Sequence, residues 1–355
     1  MTASAPTAAC DPGDELGDPL DDLEYSLRDG ACNPLLAKCD YRNNFYLGLS
    51  EYGIDNLPLV AGSDPDIAIT EIRAYQCIGH QGMPVVGDFH VVDPHLSVDD
   101  DGNFQAMVFE HVAFPWVRCK VDGQYWLGTD WLITAKADNA VGVSVTVDAR
   151  LRIADLSVSP GQSTLYQWES DHNYLYGDSS LTWEPTCDED PDPALDFHAV
   201  VYPSLRIDDG TGEFTLDKST AYLGCTSGLV AKSGYTWGYY AQPPSVHQVM
   251  TYAGMASYCG PLGQSYTETG TTIAVWNKTA SGPDQLPIDP VTDPLWTPEA
   301  AWDASMTAIC IGKTRLDTFQ PDPGKDFDCG SFSIPPCAED LLDDPSVMFI
   351  TYAHN

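Results

Sequence analysis

The stretch from Val141 to Ile153, VGVSVTVDARLRI, constrains the fold more than any other part of the chain. Val141, Val143, Val145, Val147, Ala149, Leu151 and Ile153 alternate without a miss against Gly142, Ser144, Thr146, Asp148, Arg150 and Arg152. Side chains of a strand point to opposite faces in turn, so this period of two gives one buried face and one wet face. Such a pattern predicts a long antiparallel strand with a solvated side. An Asp at Val145 would bury an unpaired charge, whereas truncating Arg150 on the wet side is expected to be mild.

Other segments read the same way. FYLGL after Asn44, IAITEIRAYQCI (Ile67 to Ile78), FQAMVFEHVAF (Phe104 to Phe114), FHAVVYPSLRI (Phe197 to Ile207) and SVMFITYA near the C-terminus are bounded by Gly, Pro or Asp clusters, which punctuate strands. Asp122-Gly123 predicts a hairpin turn, because that dipeptide tolerates positive φ. Asp209-Gly210-Thr211-Gly212 predicts a second one, turning into EFTL. Residues 160–196 are rich in aromatics, Asp and Pro and read as a long loop or short hairpins.

Two short helices are expected. SVHQVMTYAGMASY places Val246, Val249, Met250, Ala253 and Ala256 at helical spacing, with Ser245 as cap and Gly260 past the end, so that Cys259 sits at a helix C-terminus. Thr297-Pro298-Glu299 opens the second, since Pro suits the first helical position, with Trp302 and Met306 facing inward. The expected fold is therefore mainly β, with antiparallel, sandwich-like sheets and two short helices, stapled by disulfides.

Charge and sulfur narrow the setting. With 16 Lys and Arg against 52 Asp and Glu, the formal net charge of −36 argues against nucleic acid or an anionic membrane surface as partner. Eleven cysteines point to an oxidising compartment, and the odd count leaves one free, bonded to another chain or modified. The cysteines read as structural are Cys32, Cys39, Cys77, Cys119, Cys225, Cys259, Cys329 and Cys337; Cys32 and Cys39 suggest a local loop, with Cys10 a rival partner for either. No run of eighteen apolar residues occurs, so no membrane-spanning helix is expected. The first residues lack the basic and apolar parts of a secretory signal, which fits a trimmed exported chain, with a lipid anchor upstream of it as a variant.

The order GCTSGLVAKSGYTWGYY, ASYCG, TGTTIAVW, PEAAWDASMTAIC and TR between Gly224 and Arg315, with a weaker match at CKVDGQYWLGTDW, resembles the ADYC-domain family of exported bacterial proteins. The naming motif reads Ala256-Ser257-Tyr258-Cys259 here, with Ser257 in place of its Asp. The resemblance further implies a cysteine at Ser233 and another among Thr251, Tyr252 and Ala253. Both are missing together, as expected if they bond to one another. The family carries no known chemistry, so the resemblance implies an exported or cell-surface location and no reaction. The chain then divides into an acidic tail (1–40), a β-rich region (41–220), an ADYC-like region packed on it (221–320) and a cysteine-containing C-terminal loop and strand (321–355).

Several constellations invite a chemical reading. GCTSGLV resembles the start of a papain-like hydrolase, with Cys225 as nucleophile and His247 as its base, although Thr226 is an insertion and the competing reading is a disulfide from Cys225, preferably to Cys259. Asp99, Asp101 and Asn103 in one acidic turn, and Asp208 and Glu213 in another, offer oxygen ligands for calcium, the one cofactor entertained. Asp88, His90 and His95 are the best set for a transition metal. Among the many aromatics, Trp237, Tyr239 and Tyr240 are the binding candidates, expected on a surface where rings stack on sugars or anchor protein contacts, while the set as a whole reads first as core and inter-sheet packing.

No nucleotide-binding or nucleophile-elbow motif is present. The leading expectation is an exported or cell-surface, non-enzymatic module that binds a protein or glycan or assembles with copies of itself. The alternatives are a papain-like cysteine hydrolase using Cys225 and a calcium-dependent adhesion module.

Overall fold

The computed structural model describes residues 56–64, 66–138, 144–158, 163–171, 183–187, 195–208, 212–236, 242–260, 266–267, 273–277, 295–316, 320–321, 324–338 and 344–354. The calls on Cys10, Cys32, Cys39, the N-terminal tail, FYLGL, Trp237, Tyr239 and Tyr240 lie outside them. Strands β1 (Asn56–Pro58), β2 (Ile67–Ile78), β3 (Pro84–Val92), β4 (Met107–His111), β5 (Arg118–Val121), β6 (Asp130–Asp138), β7 (Ser144–Ser157), β8 (Leu165–Asp171), β9 (Trp183–Pro185), β10 (His198–Ile207) and β11 (Phe214–Cys225) form one antiparallel sheet. Its order is β1-β11-β10-β8-β7-β6-β2-β3-β4-β5, with β9 beside β8 and β5 returning to β2. Then come α1 (Leu229–Ala231), continued by a π-helical turn over Lys232–Thr236, and α2 (Pro244–Gly254). Of the last strands, β12 (Ile273–Asn277), β13 (Trp296–Trp302), β14 (Ala308–Ile311), β15 (Phe327–Asp328), β16 (Ser333–Ile334) and β17 (Phe349–His354), four form a second sheet in the order β12-β17-β13-β14.

Alternation decides which core each face feeds. Leu151 and Ile153 of β7 sit in one cluster with Trp126, Trp131, Trp168, Phe104 and Phe109. The rings of Phe104, Trp131 and Trp168 pack with centroids 5.1–6.2 Å apart, each pair adding about 0.5–1.5 kcal/mol beyond its buried area. The first half of β10 and the second half of β11 are buried on both faces. Ala199, Val201, Ala221 and Leu223 join this first cluster, while Val200, Tyr202 and Tyr222 join a second with Val249, Met250, Ala300, Trp302 and Phe349. The helix α2 thus packs within a continuous core that runs from the large sheet to the small one.

That burial explains the helix's polar residues. Gln248 donates to the Gly212 carbonyl, Tyr252 does the same through its hydroxyl, and Thr251 bonds Ser233 at 2.7 Å. The Ser233–Thr251 contact falls where the resemblance implies a cysteine pair. The N-cap is Pro243, two residues before the expected Ser245, and Pro244 lies in the first turn. The helix also ends earlier, because Ala256 adopts φ +52° and Ser257 N–H bonds the Tyr252 carbonyl, the closing pattern usually supplied by Gly. Cys259 therefore lies in the turn after the helix.

The second expected helix is a strand. Thr297-Pro298-Glu299 lies in β13, where the register jumps between Pro298 and Ala300 against β17, leaving Glu299 as the bulge residue. Proline lacks a ladder donor and is tolerated at such a bulge, and the bulge re-aims the side chain beside it. Gly312 makes room, since a Cβ there would stand 2.3 Å from the Pro298 carbonyl oxygen.

Glu299 and Arg315 consequently meet in the interior, at 0% and 1% exposure, with Nε 2.7 Å from Oε1. Arg315 also donates to the Ala253 and Gly254 carbonyls at the end of α2, and Tyr258 donates to Glu299 Oε1 at 2.5 Å. Burial, followed by the Glu299 charge, raises the Tyr258 phenol well above its ordinary range.

One further expectation is corrected, and the reading of residues 160–196 as a long loop or short hairpins is met in part. Asp122-Gly123 makes no hairpin: it leads into a 3-10 turn (Gly123–Trp126), and β5 pairs with β4 and β2 instead of β6. Burying Trp126 outweighs the local preference for a tight turn. Residues 160–196 contain β8, an internal strand between β7 and β10, as well as the short hairpin partner β9.

The described residues hold four disulfides, Cys77–Cys119, Cys187–Cys225, Cys259–Cys329 and Cys310–Cys337. Cys225 is not bonded to Cys259 as preferred from sequence. It faces the first core with Cys187, whereas Cys259 packs against the second, on the other side of β11.

Removing one member of a buried ion pair leaves the other charge uncompensated. Arg315→Met should therefore cost about 3–5 kcal/mol in denaturant unfolding, and Glu299→Gln combined with it should recover part of that loss. Equal stability of the single variant and the parent would contradict the packing described.

Candidate functional site

The wet face of the large sheet carries a groove of about 600 Å³ lined by Tyr75, Asp130, Arg150, Arg152, Glu169 and Trp183, among others. Register builds it. Across the sheet Arg73 on β2 pairs with Asp130 on β6, Asp130 with Arg152 on β7, and Arg152 with Glu169 on β8, so charges of alternating sign stand in one row. Because the side-chain period is two, the same register sends Trp131, Leu151 and Trp168 inward. A bulge hollows the row: β7 and β8 slip between Ile153 and Asp155, leaving the small Ala154 at the groove wall beside Gln167.

Each charge is spoken for. Arg150 reaches Asp130 Oδ2 at 2.5 Å, and Tyr75 donates to the same oxygen at 2.9 Å. Arg152 holds Glu169 Oε2 with Nε at 2.6 Å and a terminal nitrogen at 2.5 Å. Trp183 lies over both arginines, its ring centroid 4.4 Å from the Arg152 guanidinium carbon and 5.3 Å from that of Arg150. Such cation–π contacts fix the indole as well as the cations. Burial, then the Asp130 charge, raises the Tyr75 phenol, so at neutral pH it stays protonated and donating.

One strand further, Glu71 takes bonds from Arg73 and from His90, each at 3.0 Å. Burial alone would raise the Glu71 carboxyl, and these partners outweigh it and hold it below its ordinary value. Chemically, the groove offers a fixed aromatic face, a phenol, the Gln167 amide and guanidinium edges, with its carboxylates already paired.

The residues singled out from sequence fall elsewhere. Cys225 is 1% exposed and bonded to Cys187, so it presents no thiolate. His247 is buried in α2 with Nε2 2.8 Å from the Val230 carbonyl. Asp99 turns its carboxylate onto its own loop, accepting from Asp101 N–H, Asn103 N–H and the Asn103 amide, while the Asn103 oxygen takes the Thr164 hydroxyl. Asp208 and Glu213 flank the β10–β11 turn and are joined through their backbones. His90 is paired with Glu71, and His95 is exposed after the Asp93-Pro94 turn. Among the described residues no three His, Cys, Asp or Glu side chains are grouped to hold a metal ion.

Asp130 and Glu169 were not distinguishable among 52 acidic residues. The usable signal was the pair Arg150 and Arg152 on the wet side of so regular a strand. The expectation that truncating Arg150 is mild is corrected by the 5% exposure of its partner Asp130.

Arg150→Ala should cost about 2 kcal/mol by stranding the Asp130 carboxylate, with Asp130→Asn in the same chain restoring most of it. An unaltered melting midpoint in the single variant would dismiss the pairing. Burial lowers the His247 pKa to about 4, so the unfolded chain takes up its proton first as pH falls. Stability from this group is complete above about pH 6.5 and is lost between there and pH 4, by about 3 kcal/mol. Unfolding curves of the parent and of His247→Gln should diverge over that interval, and parallel curves would refute a neutral, buried imidazole.

A family model described as the ADYC domain matches residues 124–317. No curated protein and no solved structure matches the chain. The matched span runs from the 3-10 turn before β6, through the groove strands β6 to β9, to the buried Arg315. As the match takes in more than half of the 355 residues, the chain belongs to the ADYC-domain family.

Proposed function

We propose that the chain is an exported, non-catalytic binding module whose groove on the wet face of the large sheet takes a neutral, hydroxyl-rich ligand, a glycan. The observation that carries this reading is Trp183, fixed over Arg150 and Arg152 beside Tyr75 and Gln167. Sugar rings stack their C–H faces on aromatic surfaces, and their hydroxyls take hydrogen bonds from fixed donors and acceptors. A rigid indole loses little entropy on binding.

Charge supports a neutral ligand. Within the groove two cations oppose two anions, while the whole chain repels polyanions. The pairing of Asp130 and Glu169 with arginines, and the disulfide at Cys225, support binding without bond cleavage. Four disulfides support an oxidising, extracytoplasmic setting.

Affinity electrophoresis through gels containing a β-glucan, a xylan or a galactomannan, with alginate as the anionic contrast, tests the reading. At least one neutral polymer should retard the protein and alginate should not. Trp183→Ala should weaken that retardation roughly tenfold, the value of one stacked aromatic contact, with the melting temperature preserved. Free migration in every neutral gel, or retardation indifferent to Trp183, would sink the proposal.

A further inference from the structure

A second cavity, of about 360 Å³, lies where the N-terminal end of α2 meets β10 and β11. Its apolar walls are Tyr202, Pro203, Leu205, Leu216 and Pro244, and its polar lining is Asp100, Gln242 and His247. It is independent of the groove, sharing no residue with it.

The local backbone shapes this cavity. The β10–β11 register slips between Pro203 and Leu205, and Ser204 within the bulge adopts φ +58°, a conformation that costs a non-glycine residue free energy. The bulge lies directly beside Pro203 in the cavity wall. Opposite Leu205, Leu216 is 73% exposed; it shares a strand face with Phe214, two residues earlier, which is buried. Tyr202 and Phe214 both lie against the imidazole of His247, with centroids 5.1 Å and 5.2 Å away.

Two polar groups at the cavity, the buried His247 and the solvent-exposed Asp100, each present an atom with no partner among the described residues. A carbonyl only accepts, so the His247 Nε2 facing the Val230 oxygen carries the ring proton. The other ring nitrogen, Nδ1, is then a bare acceptor, and among the described residues no donor reaches it, although the side chain is 97% buried by its 3% exposure. Asp100 contrasts with its neighbour. Asp99 spends its carboxylate on its own turn, whereas no donor among the described residues engages the carboxylate of Asp100.

We propose that this cavity is a binding site for an organic monocation with an apolar body, an arylalkyl or alkyl ammonium. Its hydrocarbon part fills the space between Tyr202, Leu205, Leu216 and Pro244. Its N–H or O–H donor supplies His247 Nδ1, and its positive charge faces Asp100. A cavity of this volume, mostly apolar with a few convergent polar groups, is the usual form of a small-molecule site. The field of a chain of net charge −36 selects cations over anions of the same shape.

Three probes sharing a 4-hydroxyphenylethyl body separate the terms: tyramine, 4-ethylphenol and 3-(4-hydroxyphenyl)propanoate, titrated into the full chain and followed by the ¹⁵N signal of His247 Nδ1 and the methyl signals of Leu205 and Leu216. Tyramine should bind roughly five- to tenfold more tightly than 4-ethylphenol, the anion should bind weakest, and the Nδ1 signal should move with the first two. Asp100→Asn should reduce tyramine to the level of 4-ethylphenol. Leu216→Trp, at an exposed position that does not threaten the fold, should abolish all three by filling the cavity. The proposal is overturned if the anion binds as well as tyramine, if Leu216→Trp leaves the titrations unchanged, or if no probe shifts these signals at millimolar concentration. None of these outcomes depends on the glycan groove, which Leu216 and Asp100 do not line.

Discussion

A guanidinium with 1% exposure sets the terms for the rest of this fold. Desolvating Arg315 is tolerable only if its terminal N–H groups are met and its charge is opposed, and two elements do this between them. The last carbonyls of α2 accept from it, and Glu299 at the β13 bulge opposes it. Tyr258 completes the cluster by donating to the same carboxylate. Helix end, bulged strand and the turn of the family motif are therefore fixed relative to one another. The motif residues are architectural throughout: Ala256 ends the helix, Ser257 bonds the Gly260 carbonyl, Tyr258 holds Glu299, and Cys259 is bonded to Cys329. With α2 fixed in this way, His247 is buried and the Tyr202 to Leu216 cavity is closed on its helical side.

The large sheet separates support from presentation. Its inner face is filled by interlocking aromatics, and its outer face gathers Arg73, Arg150 and Arg152 in a chain with only 16 basic residues. Grouping scarce cations beside Asp130 and Glu169 yields a locally balanced, stiff surface on an otherwise strongly negative molecule. Exposed ion pairs contribute little to stability, but these are partly buried and clamp Trp183 from one side. Their main consequence is an aromatic ring held in place.

Much of the scaffold was legible because burial imposes periodicity. The alternation of Val141 to Ile153 marked β7, and FHAVVYPSLRI marked β10 as a strand, though not its burial on both faces. Misreadings arose where tertiary burial overrode a local preference. Pro298 looked like a helix start and is a bulge; Asp122-Gly123 looked like a hairpin and precedes the burial of Trp126. Pairing of Cys225 failed for another reason. Cys225 and Cys259 sit on opposite faces of β11, and no spacing in the sequence reveals which face a strand-end cysteine takes. The groove was missed because its parts come from five strands, and because Trp183 lies in a stretch that reads as loop.

The claim beneath all of this is that sulfur and the family motif build a scaffold, leaving the sheet's outer surface and the α2 cavity to meet ligands. Peptide mapping of the native, unreduced protein after thiol alkylation tests it most directly. The account predicts crosslinked peptides joining Cys77 to Cys119, Cys187 to Cys225, Cys259 to Cys329 and Cys310 to Cys337, with no label on Cys225. An alkylated Cys225, or a peptide joining it to Cys259, would contradict it.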